Sequence, residues 1–148
     1  MSVGMTTLRL ASAIDRELIL AWWGIPEVRR FTTTRQQQSF GELLDQLNQP
    51  GRRDFMIIYQ GRRVGRTCLT DQKEFEELSL YIGEVTLHGY GIGTTAIGLT
   101  LQQASKQVRA RVVKDNAASL KAFLANEFSI LKEDGTAVWL AHPGGTPT

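Results

Sequence analysis

The chain has 148 residues, of which 42% are hydrophobic and 22% are charged, and its formal net charge at pH 7 is +2. These values predict one globular domain and exclude disordered and fibrous classes, and the charge is too low for the dense basic face of a nucleic-acid-binding protein. No apolar run approaches the ~20 residues of a membrane span, so we expect a cytoplasmic protein with no membrane partner.

The first half of the chain predicts strands and two helices. Residues 8–10 alternate as a half-buried strand does, and apolar residues at helical spacing follow, with Ser12 or Asp15 as cap. Those apolar residues are Ile14, Leu18, Trp22 and Ile25, and Gly24 and Pro26 are expected to end the helix. Residues 36–48 predict a second helix, and residues 55–59 and 64–69 predict a hairpin turning at Gln60-Gly61. Residues 77–82 predict a third strand of the sheet.

The second half predicts a glycine-rich loop, two helices and a closing hairpin. The loop covers residues 88–93, and the helices are expected at 94–107 and 116–126, on either side of a strand at 110–113. Strands at 129–131 and 137–140 surround the turn dipeptide Asp134-Gly135. The order predicts a single mixed α/β (α+β) domain over residues 1–141, with a flexible Pro/Gly/Thr-rich tail at 142–148.

Cysteine and arginine usage adds two expectations. The single cysteine, Cys68, lies in an apolar strand and is expected to be buried and unreactive. Arg52 and Arg53 precede one strand of the hairpin, whereas the group Arg62, Arg63 and Arg66 follows it, so the two groups should lie at opposite ends. They are expected to be solvated strand ends or contacts to an anionic substrate or coenzyme phosphate. No metal site is predicted.

The glycine loop predicts a phosphate site. Glycines let backbone N–H groups approach a ligand, and the first amides of a following helix lack intrahelical partners. A nucleoside-triphosphate loop would need a lysine after its last glycine, and Thr94 stands there instead. The run 91–96 also fits the G-x-G-x-x-A dinucleotide fingerprint, with Asp115 as the acidic residue, which leaves an NAD(P)-binding Rossmann protein as a remote alternative.

Two segments carry a resemblance to a known superfamily. His88-Gly89-Tyr90-Gly91-Ile92-Gly93 resembles the coenzyme A pyrophosphate motif Q/R-x-x-G-x-G/A of the GNAT N-acetyltransferases. Residues 116–123, Asn-Ala-Ala-Ser-Leu-Lys-Ala-Phe, are similar to its second signature N-x-x-S-x-x-x-Y, and Phe128 matches the aromatic residue that follows. Residues 22–29 and 80–84 resemble the subfamily that acetylates ribosomal-protein N-termini and amino-sugar nucleotides.

The resemblance implies a fold and a coenzyme site. The fold would be a mostly antiparallel central sheet, flanked by helices and splayed at the coenzyme, with a bulge at Tyr81–Ile82 that exposes backbone groups to the pantetheine arm of acetyl-CoA. The residues implied to contact the coenzyme are Tyr81, Ile82, His88, Gly89, Tyr90, Gly91, Ile92, Gly93, Thr94, Asn116, Ser119 and Phe123.

The chemistry requires a base for the amine and a route for the departing thiolate. Relatives often keep a carboxylate at the start of the central strand, so Glu77, and after it Glu76, are the candidate bases. Phe123 stands where the family has a tyrosine acid, which leaves Ser119, water or unassisted departure for the thiolate. Trp23, Phe31 and Tyr81 are candidate acceptor contacts, and helical geometry predicts an exposed ring for Trp23.

The sequence therefore predicts an acetyl-CoA-dependent N-acetyltransferase. Its acceptor would be the primary amine of a small molecule, with an amino-sugar nucleotide as the example, attacked directly in a ternary complex. A protein N-terminal acetyltransferase and a non-catalytic, CoA-binding regulatory module are alternatives. Both a monomer and a homodimer stay open.

Overall fold

The computed structural model describes residues 5–29, 49–84 and 87–144. Seven strands form one sheet: β1 (Thr6–Leu10), β2 (Arg52–Tyr59), β3 (Arg62–Asp71), β4 (Glu76–Ile82), β5 (Val108–Val113), β6 (Ser129–Glu133) and β7 (Ala137–His142). The described α-helices are α1 (Arg16–Trp23), α2 (Pro26–Arg29), α3 (Ile92–Leu101) and α4 (Ala117–Ala125). This architecture confirms the predicted mixed α/β class. Within the described ranges, no helix is long and apolar enough to cross a membrane.

The sheet has the strand order β1-β2-β3-β4-β5-β7-β6. Every neighbouring pair is antiparallel except β4 and β5, which are parallel and joined by α3. A doubly wound parallel sheet is therefore excluded, and with it the Rossmann alternative. Because β4 and β5 run in the same direction, the segments that follow them leave the sheet at the same end, where both strands have their carboxyl ends.

Side chains alternate along each strand, so the sheet has two faces, and different helices pack against each face. Met56, Ile58 and Tyr81 pack against α1, and we call this side the α1 face. Phe55, Leu69 and Leu78 lie on the opposite side, the α3 face, in the main core with residues of α3 and α4. The buried side chains alternate between the two faces along most of each strand, as the period of two requires. The exception is the register shift between Ile57 and Ile58, where Val64 packs with Ile57 and Ile92 on the α3 face.

Both predicted hairpin turns are present. Gln60 and Gly61 have φ angles of 52° and 77°, the left-handed pair that matches the twist of β2 and β3. In the β6–β7 turn, Asp134 Oδ1 accepts hydrogen bonds from the amides of Thr136 and Ala137, at 2.8 Å each. Short-range turn chemistry therefore sets the register next to each turn, and a shift between Ile57 and Ile58 and another between Ile130 and Lys132 change the register further along the two hairpins.

The first helical segment differs from its prediction in phase. Residues Ala13–Asp15 form a single 3-10 turn before α1, and this turn rotates Ile14 into solvent, where it is 78% exposed. Ile19 is fully buried in its place. Pro26 starts α2 instead of stopping a helix, because proline lacks only an N–H that is unpaired in the first turn anyway. The predicted helix 36–48 lies outside the described residues.

Two later boundaries also move. The helix predicted at 94–107 covers Ile92–Leu101, since the following segment turns back and its Ser105 amide donates to Glu76 Oε2 at 3.0 Å. Strand β7 includes His142, one residue beyond the expected end of the domain, and residues 145–148 of the expected tail lie outside the described ranges.

Arg62 and Arg63 lie at the turn end of the hairpin and Arg52 and Arg53 at the other end, as predicted, but Arg66 does not. It pairs with Met56 in the middle of the hairpin, and the expectation of a solvated strand end is wrong for it. Its guanidinium is buried, and Nη1 donates to Asp54 Oδ1 at 2.8 Å. Arg52 Nε donates to the same carboxylate at 3.0 Å. Asp54 is fully buried, so Arg66 forms a buried ion pair with it on the α1 face of the sheet.

Candidate active site

Strands β4 and β5 separate after a short contact. Their parallel pairing consists of Glu76 with Val108 and Glu77 with Arg109, although β4 continues to Ile82 and β5 to Val113. On its other side, β4 stays paired with β3 from Glu76 to Ile82. The result is a V-shaped gap with its vertex at Glu77, which confirms the predicted splay.

The register identifies the backbone groups of β4 that face this gap. The Glu76 amide donates to Gln107 O at 2.8 Å, toward β5, whereas the Gly83 amide donates to Val64 O at 2.7 Å, toward β3. Backbone direction alternates along a strand, so Leu80 and Ile82 also direct their N–H and C=O groups toward β5. We call the backbone groups of these two residues the open edge.

The expected bulge is displaced from Tyr81–Ile82. The β3–β4 register is continuous through both residues. Immediately after the strand, the amides of Gly83 and Glu84 both donate to Val64 O, at 2.7 and 3.2 Å, so that two consecutive residues face one. This two-against-one pairing is typical of a β-bulge, and it bends the chain where the strand leaves the sheet.

The glycine loop, His88–Gly93, leads directly into α3. Gly89 and Gly91 have φ angles of 90° and 77°, and Gly91 is the N-cap of the helix. A Cβ on either residue would meet no atom within 4 Å, so the glycines are required by the backbone conformation and the space above them is open. The first intrahelical bond is donated by Thr95, which leaves the amides of Ile92, Gly93 and Thr94 for a ligand.

The side chain of His88 has a contact that the sequence did not reveal. Its Nε2 lies 2.9 Å from the carbonyl oxygen of Ile82. A carbonyl can only accept, so Nε2 carries the proton and donates. His88 therefore links the loop to the last residue of the open edge and occupies one of that edge's acceptors.

The second motif, residues 116–123, follows β5 and lies at the same end of the sheet as the glycine loop. Asn116 is the N-cap of α4, and its Oδ1 accepts from the Ser119 amide at 3.1 Å. At the other end of α4, Asn126 Nδ2 donates to Thr94 O at 2.9 Å, which fixes α4 against the start of α3. Asn116 and Ser119 are half-buried beside the gap's open end.

Phe123 is a core residue. It is 2% exposed and packs edge-to-face on Phe128, with ring centroids 5.0 Å apart. Ser119 lies one helical turn before it on α4. The ring therefore packs α4 against the core. The proton for the departing thiolate has to come from another group.

The two candidate bases differ in their surroundings. Glu76 is buried, and both carboxylate oxygens are used: Oε1 accepts from Arg53 at 2.8 Å and Oε2 from the Ser105 amide at 3.0 Å. Glu76 therefore joins β2, β4 and the end of α3. Glu77 is half-buried at the vertex of the gap and shares the α1 face with Ser79 and Tyr81.

The predicted acceptor contacts are only partly where helical geometry placed them. The prediction of an exposed Trp23 is wrong: its ring is 7% exposed, and its centroid lies 6.4 Å from that of Tyr81. The 3-10 turn before α1 shifts the helix phase, so Trp22 and Trp23 both pack inward. Tyr81 belongs to this aromatic group, and Phe31 lies outside the described residues.

Cys68 is buried, as predicted. Desolvation raises the pKa of its thiol above the usual value, which disfavours the reactive thiolate. The site therefore offers no nucleophile at this position.

The geometry fits a coenzyme with an amide-bearing arm and a pyrophosphate. The open edge has backbone groups that suit strand-like hydrogen bonds to such an arm, and the amides of Ile92, Gly93 and Thr94 suit a phosphate group. Arg62, at the neighbouring hairpin turn, lies 3.9 Å from Glu84, which follows β4 on the way to the loop. A separate open cavity of about 440 Å³ lies at the opposite end of the sheet, where Arg53 and Lys106 are paired with Glu76 and Asp71.

The comparisons agree with this geometry. The family model of the acetyltransferase (GNAT) domain matches residues 6–129. A domain from Methanocaldococcus jannaschii is similar in structure, with a TM-score of 0.80 and 22% identity over 95% of this chain and 100% of that one. No curated protein matches the sequence significantly.

Two further structures have coenzyme A bound. Spermidine N-acetyltransferase from Vibrio cholerae, in complex with CoA and spermine, has a TM-score of 0.78 and 16% identity over 93% of this chain and 94% of that one. Aminoglycoside acetyltransferase AAC(6')-Ib, in complex with coenzyme A, has a TM-score of 0.77 and 13% identity over 94% and 95%.

Proposed function

The chain belongs to the acetyltransferase (GNAT) family, and from this premise we propose that it uses acetyl-CoA to acetylate the primary amine of a small molecule. The acceptor class that we propose is the amino-sugar nucleotide, in line with the subfamily resemblance of residues 22–29 and 80–84. The observation that carries the proposal is the open edge of β4 beside the glycine loop. Solved relatives that act on spermidine and on aminoglycosides support a small amine as acceptor.

Acetyl-CoA supplies an activated acetyl thioester, and the chain's own residues bind, orient and move protons. Leu80 and Ile82 offer backbone groups that align the arm, and the start of α3 holds the phosphates. This alignment fixes the amine beside the thioester, and well-oriented reactants gain about 7–11 kcal/mol of barrier relief. Positioning therefore provides the largest share of the rate.

Glu77 is the proposed base, because it lies at the vertex of the gap on the α1 face. About 13 Å of extended strand separates it from Tyr81, so a water chain connects the carboxylate with an amine held near the open edge. Ser119 or water protonates the thiolate, and a free thiol pKa near ~8.5 makes unassisted departure tolerable.

A thermal-shift screen with acetyl-CoA, CoA, NAD and NADP tests the coenzyme. Acetyl-CoA and CoA should raise the melting temperature, because a ligand at a hundred times its Kd adds about 2.7 kcal/mol, whereas NAD and NADP should not. Thiol release from acetyl-CoA with a panel of amino sugars, polyamines and peptides then identifies the acceptor. Stabilisation by neither CoA species would refute the proposal.

One observation favours a second candidate, a CoA-binding regulatory module without catalysis. Phe123 gives no proton and is buried in the core. In this case CoA would stabilise the protein, and no amine or peptide would release thiol. Faster release with peptides than with amino sugars at matched concentration would instead indicate an acetyltransferase of protein N-termini.

A further inference from the structure

A buried polar cluster lies on the α1 face next to the open edge. We call it the Asp54 cluster and define it as Arg52, Asp54, Arg66 and Tyr81. The strand register places Met56, Arg66 and Tyr81 side by side on β2, β3 and β4. The Asp54 carboxylate accepts from Arg66 Nη1 and from Arg52 Nε, as described above.

Two donors of this cluster have no partner. Arg66 Nε and the Tyr81 hydroxyl are both buried, and neither has a hydrogen-bond partner among the described residues. The Arg66 guanidinium lies over the Tyr81 ring, with Cζ 5.1 Å from the ring centroid, so the two belong to one site. Buried polar atoms are paired in the large majority of cases, and two adjacent exceptions indicate a missing ligand or water.

The surroundings of these donors are apolar on the helix side. Trp22 contacts Tyr81 edge-on, with ring centroids 6.1 Å apart, and Trp23 lies 6.4 Å away. Burial raises the pKa of the Tyr81 hydroxyl, which therefore keeps its proton and donates. The neighbouring strand residues on the same face, Cys68 and Ser79, are neutral.

The cluster is on the side from which an acceptor can approach. The α3 face is filled by the main core, which includes Leu78 and Phe123. Tyr81 projects to the other face, and its backbone lies between the two residues of the open edge. An amine that reaches the open edge from the α1 face thus passes the Asp54 cluster.

The donors determine what chemistry they recognise. The Arg66 guanidinium stays charged in a protein, and its Nε can only donate a hydrogen bond. The protonated hydroxyl of Tyr81 beside it can also donate one. Two donors next to a fixed positive charge match the oxygens of a carboxylate or a phosphate. Resting on the proposed function, we propose that the acceptor amine also carries an anionic group, which binds Arg66 Nε and the Tyr81 hydroxyl.

Matched pairs of amines test the inference. The pairs are glucosamine 6-phosphate with glucosamine, and 4-aminobutyrate with butylamine, so that one pair presents phosphate and the other carboxylate. We expect kcat/KM to be at least thirtyfold higher for the anionic member of one pair, and the preferred pair identifies the anion. Equal values within both pairs would overturn the inference, because the donors would then hold a buried water only.

The variant Tyr81→Phe removes one donor and keeps the ring. We expect KM for the preferred anionic amine to rise about tenfold more than KM for its neutral partner, with the melting temperature not lowered. Arg66→Lys keeps the charge but not the Nε donor and should raise the same KM. An equal loss for both members of a pair would show that Tyr81 only supports the fold.

A binding measurement separates this inference from the proposed function. With CoA present, the anionic amine should raise the melting temperature of the wild type and not that of Tyr81→Phe. Thiol release without anionic preference would overturn only the present inference. Absence of CoA binding would overturn the proposed function. If the anionic amines do not stabilise the protein, the anion site is rejected, whether or not any amine is acetylated.

Discussion

A single residue, His88, connects two parts of the candidate site, the glycine loop and the end of β4. His88 contributes a backbone amide to the glycine loop, and its ring donates to Ile82 O at the end of β4. The family motif has glutamine or arginine at this place, so the chain reaches the strand with a different donor. In the proposed coenzyme site His88 is therefore a positioning residue, because it fixes the loop relative to the open edge and touches no reacting atom.

Substitutions of His88 should therefore affect binding and not turnover. We expect His88→Ala to raise KM for acetyl-CoA about five- to tenfold with kcat unchanged, because loop and edge are no longer linked. Glutamine places its amide nitrogen near the position of Nε2, so His88→Gln should restore KM. Steady-state kinetics measure both. The same loss with S-acetylpantetheine, which lacks the pyrophosphate, would contradict the linking role.

Asp15 is the residue whose ionisation should influence stability in acid. Its buried carboxylate accepts from Arg9 at 2.9 Å, from Arg63 at 3.1 Å and from the Ser12 amide at 2.9 Å. The hydrogen bonds from Arg9, followed by those from Ser12 and Arg63, lower its pKa from 3.8 to about 2. A lowered folded-state pKa gives stability that is complete above pH ~4 and is lost as the pH falls toward 2.

The variant Asp15→Asn should lower the free energy of unfolding by about 1–3 kcal/mol at pH 7, because hydrogen bonds to a charged group are lost. The difference from wild type should shrink between pH 4 and pH 2, where the wild-type carboxylate becomes protonated. Urea unfolding at pH 7, 4 and 2.5 measures it, with the exposed Asp115→Asn as control. A difference that is constant over this range would contradict the role of ionisation.

At the scale of elements, β4 connects the two halves of the site. The side chains on its α3 face are in the core, and its open edge lies beside the gap. Gly83, directly after the strand, packs against Trp22 of α1. A Cβ on Gly83 would lie 2.2 Å from Cγ of Trp22, whose ring is 3% exposed. The close approach of α1 to the end of β4 thus requires glycine at this position.

We expect Gly83→Ala to destabilise the protein by about 1–3 kcal/mol, since a buried indole must move to admit the methyl group. The matched control is Gly135→Ala in the β6–β7 turn, where an added Cβ meets nothing within 4 Å. The control should change stability by less than about 0.5 kcal/mol. Thermal unfolding of both variants measures the difference, and equal effects would show that the Trp22 contact does not limit this position.

At the scale of the whole molecule, the proposed coenzyme site depends on the single parallel strand pair in the described sheet. Parallel strands bring their carboxyl ends to one edge, so the loop after β4 and Asn116 after β5 meet there. The separation of the two strands beyond Glu77 exposes backbone groups between them. Loop, open edge and second motif therefore become one site by topology.

Hydrogen exchange with and without CoA should map this site. We expect protection in the amides of the open edge, Leu80 and Ile82, and at the start of α3, by tenfold or more, because these groups gain hydrogen-bond partners. Amides of the outer strand β6 should be unchanged and serve as the internal control. Protection confined to the β1–β2 end of the sheet would contradict the placement of the coenzyme.

The sequence by itself determined the features that depend on short-range chemistry. The turn at Gln60-Gly61 and the left-handed glycines of the loop follow from local backbone preferences. Two motifs in the correct order were sufficient to identify the family and the coenzyme.

Only the tertiary structure decided what depends on contacts between distant strands. Helical spacing predicted an exposed Trp23, but a 3-10 turn before α1 rotates its ring into the core. No local pattern indicates that Arg66 is buried by Asp54, that Glu76 is used by Arg53, or that His88 reaches Ile82. The two ion pairs join residues of different strands, and the His88 contact depends on how the loop folds back onto the end of β4, so all three are properties of the folded chain.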